Sequence, residues 1–163
     1  MKKSSRNALL LAIGLVVGFI LYRVMFPTPP SDTIQIQQQI KYAVESAQTR
    51  NVGGIMRVIS PHYMDDNGFG SEGLQLSLRR AFNNLQVIEI AASPSSITII
   101  SPTVARSETY FGLKCQGNQG SFVRPQAQIT LDWKKEDTQR YLFFTVKEWH
   151  VVRASYGSFT FDL

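Results

Sequence analysis

The sequence predicts an α+β domain, with helices first and an antiparallel sheet after them, behind one membrane-spanning helix. Three observations support this prediction. Residues 8–26 are an apolar run after a basic start, residues 32–84 carry apolar side chains at helical spacing, and from Leu85 onward the apolar spacing is two. Because helices followed by a run of strands are typical of α+β folds, we expect three helices to pack on one face of a curved sheet.

Residues 8–26 are predicted to cross a membrane once. A helix of this length rises about 28 Å at ~1.5 Å per residue, close to the ~30 Å of a hydrocarbon core. Lys2, Lys3 and Arg6 precede the run, so the positive-inside rule places residues 1–7 in the cytoplasm. The expected location is the inner membrane of a bacterial cell, single-pass, with the C-terminal domain in the periplasm.

The C-terminal flank of the apolar run decides between a retained anchor and a cleaved signal peptide. A cleavage site needs small residues, whereas residues 22–27 read Tyr-Arg-Val-Met-Phe-Pro. We therefore expect a signal anchor, and cleavage remains the alternative. The proline-rich residues 27–31 are predicted to form a linker, and residues 32–163 to form one extracytoplasmic domain.

The charge of the predicted domain argues against one class of partner. The chain has 17 Lys and Arg and 12 Asp and Glu, but four of the basic residues precede Asp32, which leaves 13 basic against 12 acidic residues. A nearly neutral domain lacks the basic surface that nucleic-acid binding requires, so no nucleic-acid partner is expected. Cys115 is the only cysteine, so no intrachain disulfide can form.

The first predicted helix begins at Ser31 or Asp32, either of which can cap it. Its apolar residues fall at helical spacing and are Ile36, Ile40, Ala43, Val44 and Ala47. Asn51 and the pair Gly53-Gly54 are expected to interrupt the helical pattern, and a short apolar turn at residues 55–59 follows.

A further helix is predicted at residues 72–83. Ser71 is its expected cap, and Leu74, Leu78 and Phe82 form one apolar stripe. Together with the segments before it, this gives the three helices that are expected to precede the sheet.

Five antiparallel strands are predicted after the helices. They cover residues 86–92, 97–101, 104–116, 122–134 and 140–154, separated by Ser-Pro, Gly-Asn-Gln-Gly and Lys-Glu-Asp turn signals. Phe111 and Leu113 in the third strand and Leu131 and Trp133 in the fourth lie on the predicted dry face. In the last strand the apolar positions change parity, which predicts a bulge near residues 147–148.

Three segments resemble the nuclear transport factor 2-like superfamily. Residues 59–68, Ile-Ser-Pro-His-Tyr-Met-Asp-Asp-Asn-Gly, resemble the passage that leads to the third helix of these domains. Residues 97–106, Ile-Thr-Ile-Ile-Ser-Pro-Thr-Val-Ala-Arg, resemble a strand, a turn and the next strand, and residues 148–152, Glu-Trp-His-Val-Val, resemble the closing strand. The resemblance covers roughly residues 33–156 of the sequence.

This resemblance implies a cone-shaped, cystatin-like fold with a pocket on the concave face of the sheet. The superfamily includes SnoaL-like cyclases, ketosteroid isomerases, dehydratases, ligand-binding modules and membrane-anchored scaffold subunits. Fold alone therefore does not select a function. The possible pocket lining is Phe82, Phe111, Leu131 and Trp133.

No catalytic residue is assigned, and the best acid–base candidates are His62, Tyr63, Asp65 and Asp66. The alternation of the strands turns Glu108 and Asp132 away from the dry face, so the strand face that should line a pocket carries no acid. Asp-Asp-Asn-Gly is also a turn sequence, which is the simpler interpretation of Asp65 and Asp66. The two histidines have no third ligand at metal-site spacing, so neither a metal nor a cofactor is predicted.

Two classes of function remain. The favoured one is a non-catalytic, membrane-anchored module that binds a ligand or a protein. The alternative is a small-molecule isomerase, cyclase or dehydratase that uses the same pocket. The expected partners are the lipid bilayer, through residues 8–26, and a second copy or another membrane-complex subunit. The resemblance implies that such a partner binds the open sheet face, at Arg106, Tyr110 and Gln128.

Overall fold

The structure is a computed structural model that describes residues 15–16, 30–117, 120–141 and 144–156. The chain divides into two units, Met1–Ser31 and Asp32–Leu163. In the first unit Leu15 and Val16 are helical, and the rest of the predicted span at residues 8–26 lies outside the described residues. Within the described residues, no helix is both long enough and apolar enough to span a bilayer.

In the second unit, the described residues form three helices followed by four strands. The helices are α1 (Asp32–Gln48), α2 (Val52–Val58) and α3 (Ser71–Asn84), and the strands are β1 (Leu85–Ser101), β2 (Val104–Gly117), β3 (Gly120–Tyr141) and β4 (Phe144–Tyr156). The strands form one antiparallel sheet in the order β1-β2-β3-β4. The α+β prediction of three helices on an antiparallel sheet is confirmed.

α2 corrects the prediction that the glycine pair interrupts the helical pattern, because Gly53 and Gly54 lie inside this helix. The Asn51 side chain caps α2 by accepting a hydrogen bond of 2.9 Å from the Gly54 N–H. A Cβ on Gly54 would collide with Ser46 of α1. Glycine is therefore present here because α1 and α2 pack closely, and not because the chain turns.

β1 is one strand where the sequence predicts two, at residues 86–92 and 97–101. The Ser-Pro signal lies within β1, between the pairs Ser93↔Tyr110 and Ser96↔Glu108, where the register shifts. β1 is an edge strand, so Pro94 can sit at this bulge without removing an inner ladder hydrogen bond. The extra residue at the bulge also reverses which alternate side chains of β1 face inward. This is why Ile90 and Ile97, seven residues apart, both pack toward the interior.

β3 corrects a second predicted turn. It continues through the Lys-Glu-Asp segment, where Glu136 pairs with Glu148 and Asp137 with Lys147 of β4. Lys135 Nζ forms an ion pair of 2.6 Å with the Asp32 carboxylate of α1. The inward-facing charge of this segment therefore has a partner, and the strand can continue through it.

β4 contains a bulge, but at Val152 and not at the predicted residues 147–148. Trp133 pairs with Val151 and Asp132 with Arg153, which leaves Val152 as the extra residue. The pairing around residues 147–148 is regular. The parity change in the sequence has another cause, namely that Val146 is exposed on the face opposite to Trp149.

The core lies between the helices and the dry face of the sheet. Ile36 of α1, Val58 of α2, Trp133 of β3 and Trp149 of β4 are almost completely buried there. On β2 the alternation is as expected: Ala105, Ser107 and Thr109 are buried, whereas Arg106, Glu108 and Tyr110 are exposed. The buried set of alternate residues is the one that faces the helices.

Candidate ligand cavity

A cavity of about 410 Å³ lies between the three helices and the sheet. The lining residues from the helices are aliphatic: Ile40, Ala43, Val44 and Ala47 from α1, Ile55 and Val58 from α2, and Leu74 and Leu78 from α3. The sheet contributes Ile90, Phe111, Gly112, Leu113, Ala127, Ile129, Leu131, Trp133, Val151, Ala154 and Tyr156. The volume falls within the range of about 300–1,000 Å³ that small-molecule sites occupy.

Of the four predicted pocket residues, Phe111, Leu131 and Trp133 lie on the wall of this cavity, and Phe82 does not. α3 begins at Ser71, with Gly70 in the N-cap position that was predicted for Ser71. Its first turns present Leu74 and Leu78 to the cavity, whereas Phe82, near its C-terminal end, is half-buried elsewhere.

Asp65 and Tyr63 lie on the cavity wall because the segment after α2 follows the edge of β4. Next to the bridge between Ile59 and Val151, the Ser60 N–H donates to the Val151 carbonyl at 2.9 Å, and the Met64 N–H donates to the Val152 carbonyl at 3.1 Å. The two hydrogen bonds to β4 hold the intervening chain against the sheet. Tyr63, which is 5% exposed, is thereby turned toward the interior, and the half-buried Asp65 lies on the cavity wall.

The carboxylate of Asp65 closes a turn with one oxygen and faces Tyr156 with the other. Oδ1 accepts hydrogen bonds from the backbone N–H groups of Asn67, at 2.9 Å, and Phe69, at 2.7 Å. Gly68 takes a φ of 79°, which favours glycine in this turn. Oδ2 accepts a hydrogen bond of 2.6 Å from the Tyr156 hydroxyl. Asp65 is therefore both a turn residue and a cavity residue.

Both tyrosine hydroxyls at this end of the cavity keep their protons. Burial, and then the negative charge of Asp65, raises the pKa of Tyr63 well above its ordinary value. Burial, and then the hydrogen bond to Asp65, also raises the pKa of Tyr156. Asp65 is the one carboxylic acid among the described residues that line the cavity.

The other two acid–base candidates do not reach the cavity. His62 is exposed and is not a lining residue. Asp66 points away from the cavity and accepts hydrogen bonds from Arg153 Nε at 3.0 Å and Nη2 at 2.7 Å. The bond from Arg153 lowers the pKa of the Asp66 carboxyl. The structure therefore separates the four candidates into Tyr63 and Asp65 inside and His62 and Asp66 outside.

Tyr156 is the cavity residue that sequence reasoning missed. Counting alternate positions from Trp149 and Val151 places residue 156 on the outer face. The extra residue at Val152 reverses this parity and brings Ala154 and Tyr156 inward. The available signal was the apolar spacing of Val151 and Ala154, which is odd and so indicates a bulge between them.

The remaining reactive side chains form no metal-binding cluster among the described residues. These residues contain no group of three or more His, Cys, Asp and Glu side chains that could hold a metal ion. Cys115 is buried, and burial raises the pKa of its thiol, which makes the thiolate rarer.

On the outer face of the sheet, the residues predicted to bind a protein partner are surrounded by polar side chains. Arg106 forms an ion pair of 2.7 Å with Asp132, and Gln128 donates to Glu108 at 3.2 Å. Tyr110 is 44% exposed on this face. The partner surface stays a prediction.

The fold is shared with several solved structures of low sequence identity. A protein from Novosphingobium aromaticivorans described as an aromatic ring hydroxylase has a TM-score of 0.65 and 14% identity, over 79% of this chain and 90% of that one. A second protein from the same organism, described as a scytalone dehydratase, has a TM-score of 0.56 and 10% identity, over 77% and 82%. An NTF-2 like protein of unknown function from Shewanella oneidensis has a TM-score of 0.55 and 13% identity, over 77% and 98%.

These similarities confirm the nuclear transport factor 2-like fold that the three sequence segments predict. No protein-family profile matches the chain, and no curated protein matches it in sequence. At such identities the likeness concerns the fold and not the activity.

Proposed function

We propose that this protein is a membrane-anchored module that binds a small apolar molecule outside the cytoplasm. The observation that carries the proposal is the cavity of about 410 Å³, whose described lining is apolar apart from the carboxylate of Asp65, the hydroxyls of Tyr63 and Tyr156 and the indole nitrogen of Trp133. A concave, apolar site with a few convergent polar groups is typical of small-molecule binding. Transfer of an apolar ligand from water into such a site is favourable because it removes apolar surface from water.

The anchored location rests on the sequence. The basic start, the apolar residues 8–26 and the bulky flank at residues 22–27 favour a retained span with the domain outside the cytoplasm. A short linker at residues 27–31 would keep the cavity near the bilayer, where apolar molecules are concentrated. The anchor and the cavity thus support one role.

Binding of a neutral apolar fluorophore, N-phenyl-1-naphthylamine, tests the proposal. Trp133 lines the cavity, so energy transfer from tryptophan distinguishes probe inside the protein from probe in lipid. The full chain in lipid nanodiscs is expected to give saturable energy transfer, with empty nanodiscs as the blank.

A matched pair of variants shows where the probe binds. Ala127→Phe fills the cavity wall and should weaken binding about tenfold or more, since it removes the contact area that drives binding. Ala91→Phe introduces the same ring on the opposite face of β1 from the cavity residue Ile90 and should leave affinity unchanged. Equal binding by both variants, or no saturable binding by the parent chain, would contradict the proposal.

A second candidate function is an isomerase, cyclase or dehydratase activity in the same cavity. One observation favours it, because Asp65 lies on the cavity wall with its Oδ2 at 2.6 Å from the Tyr156 hydroxyl. A carboxylate beside a protonated tyrosine is a pair that can act as base and hydrogen-bond donor. Against it, Oδ1 is taken by two backbone N–H groups, and the described wall holds neither a second acid nor a histidine.

The two candidates differ in what Asp65→Asn does. Loss of a general base lowers turnover by about a hundredfold to ten-thousandfold, whereas a binding module shows no turnover to lose. A screen of cyclic ketones and hydroxylated aromatics with the parent chain, repeated with Asp65→Asn, separates them. Turnover that depends on Asp65 would replace the binding function with the catalytic one.

A further inference from the structure

Three residues of the described cavity wall carry side-chain oxygen atoms, and two of them, Asp65 and Tyr156, are hydrogen-bonded to each other at one end of the cavity. The third of these residues is Tyr63. The one other polar side chain of the described wall, Trp133, donates its indole N–H to Ser107 at 2.9 Å and so does not offer it to the cavity. The polar end therefore offers one carboxylate, which accepts hydrogen bonds, and two tyrosine hydroxyls, which can both donate and accept them.

The charge at this end is negative. The described wall contains the Asp65 carboxylate and no Lys, Arg or His side chain. Arg153 is near in sequence to the tyrosine but donates two hydrogen bonds to Asp66, outside the cavity. A ligand cation placed next to the Asp65 carboxylate gains a favourable interaction, whereas a ligand anion there is repelled.

We propose that the cavity selects an apolar ligand that ends in a hydrogen-bond donor, with a protonated amine preferred over a hydroxyl and a carboxylate disfavoured. This inference rests on the proposed binding function. The amine would donate to Asp65 Oδ2, beside the hydrogen bond that this oxygen already accepts from the Tyr156 hydroxyl. The hydrocarbon body of the ligand would occupy the aliphatic wall.

Three probes with one rigid hydrocarbon body and different heads test this selectivity. They are 1-adamantylamine, 1-adamantanol and 1-adamantanecarboxylate, each used at pH 7 to displace N-phenyl-1-naphthylamine from the full chain in nanodiscs. The amine is expected to bind tenfold to a hundredfold more tightly than the carboxylate, since hydrogen bonds to charged groups contribute on this scale. The alcohol should lie between them.

Two neighbouring carboxylates give matched variants. Asp65→Asn keeps an oxygen for the Asn67 and Phe69 N–H groups but removes the charge, so it should abolish the preference for the amine. Asp66→Asn removes one negative charge outside the cavity and should leave the preference intact. The ranking of the three probes on the parent chain does not depend on either variant being folded.

Each outcome supports or overturns the inference. Carboxylate binding as tight as amine binding, with the fluorophore bound normally, overturns the selectivity and leaves the proposed function standing. Equal loss of amine preference in Asp65→Asn and Asp66→Asn overturns the assignment to Asp65. Failure of every apolar probe, the fluorophore included, overturns both proposals.

Discussion

The indole N–H of Trp149 donates a hydrogen bond of 3.1 Å to the carboxylate of Asp32, the first residue of α1. The same carboxylate oxygen accepts a bond of 2.6 Å from Lys135 Nζ, which also lies 5.0 Å from the centre of the Trp149 ring. Asp32 thereby connects α1 to β3 and β4. The contact holds the start of the helical layer on the sheet that it covers.

Asp32→Asn is expected to lower stability at neutral pH by roughly 1 to 2 kcal/mol, because it weakens charge-assisted bonds that are partly buried. The hydrogen bond from Lys135 lowers the pKa of Asp32 below its usual 3.8. A group with a lowered folded-state pKa stabilises the fold above its unfolded pKa of about 4 and loses that contribution as the pH falls through the folded value. Urea unfolding at pH 7 and at pH 3 measures the difference.

The matched control for this prediction is Asp137→Asn. Asp137 is an exposed carboxylate on β3, so its replacement should change stability little at either pH. A gap between parent and Asp32→Asn that stays constant from pH 7 to pH 3 would show that the carboxylate charge of Asp32 does not contribute to stability.

Two isoleucines of α1 test the packing of the helix. Ile36 is 0% exposed and Ile34 is 45% exposed. Ile36→Ala should cost about 2–5 kcal/mol, since it leaves a cavity in the core, whereas Ile34→Ala should cost about 0.5 kcal/mol or less. Urea unfolding followed by tryptophan fluorescence measures both. Similar losses for the two variants would mean that α1 presents a different face to the sheet.

Much of the fold was predictable because each pattern concerned neighbours in sequence. The spacing of Ile36 and Ile40 identifies α1, and the alternation of Phe111 and Leu113 gives the dry face of β2. Turn signals were less reliable. The Ser-Pro signal lies at a bulge inside the edge strand β1. The charged segment around Lys135 is part of β3, because pairing with β4 and the ion pair with Asp32 supply partners for its residues.

The polar end of the cavity was only half predictable. Asp65 and Tyr63 belong to a short motif and were identified as candidates, but their partner Tyr156 lies 91 residues after Asp65. Its inward direction depends on a bulge at Val152, and a bulge position is set by cross-strand pairing that the sequence does not display. Likewise, nothing local distinguished Phe82 from Leu74 and Leu78 as a wall residue.

Alanine substitutions at the two glycines of α2 are expected to change the stability of the domain in opposite directions. Alanine at position 54 would place its Cβ 2.9 Å from Ser46 Cβ and against Ser46 Oγ, so Gly54→Ala should destabilise the domain by about 1–3 kcal/mol. Alanine at position 53 meets nothing closer than 3.5 Å, so Gly53→Ala should stabilise it by about 0.5–1 kcal/mol through helix propensity. Thermal unfolding measures both changes. Stabilisation by both would mean that α1 and α2 are not in close contact.

The membrane topology is tested by reporters fused after Leu163. Lys2, Lys3 and Arg6 before the apolar residues 8–26 predict that the C-terminus lies outside the cytoplasm. An alkaline phosphatase fusion should therefore be active and a green fluorescent protein fusion dark, and the chain should fractionate with membranes at its full length. Replacing the three basic residues by Glu is the control, since it should weaken this orientation. A shorter, soluble product would instead indicate a cleaved signal peptide.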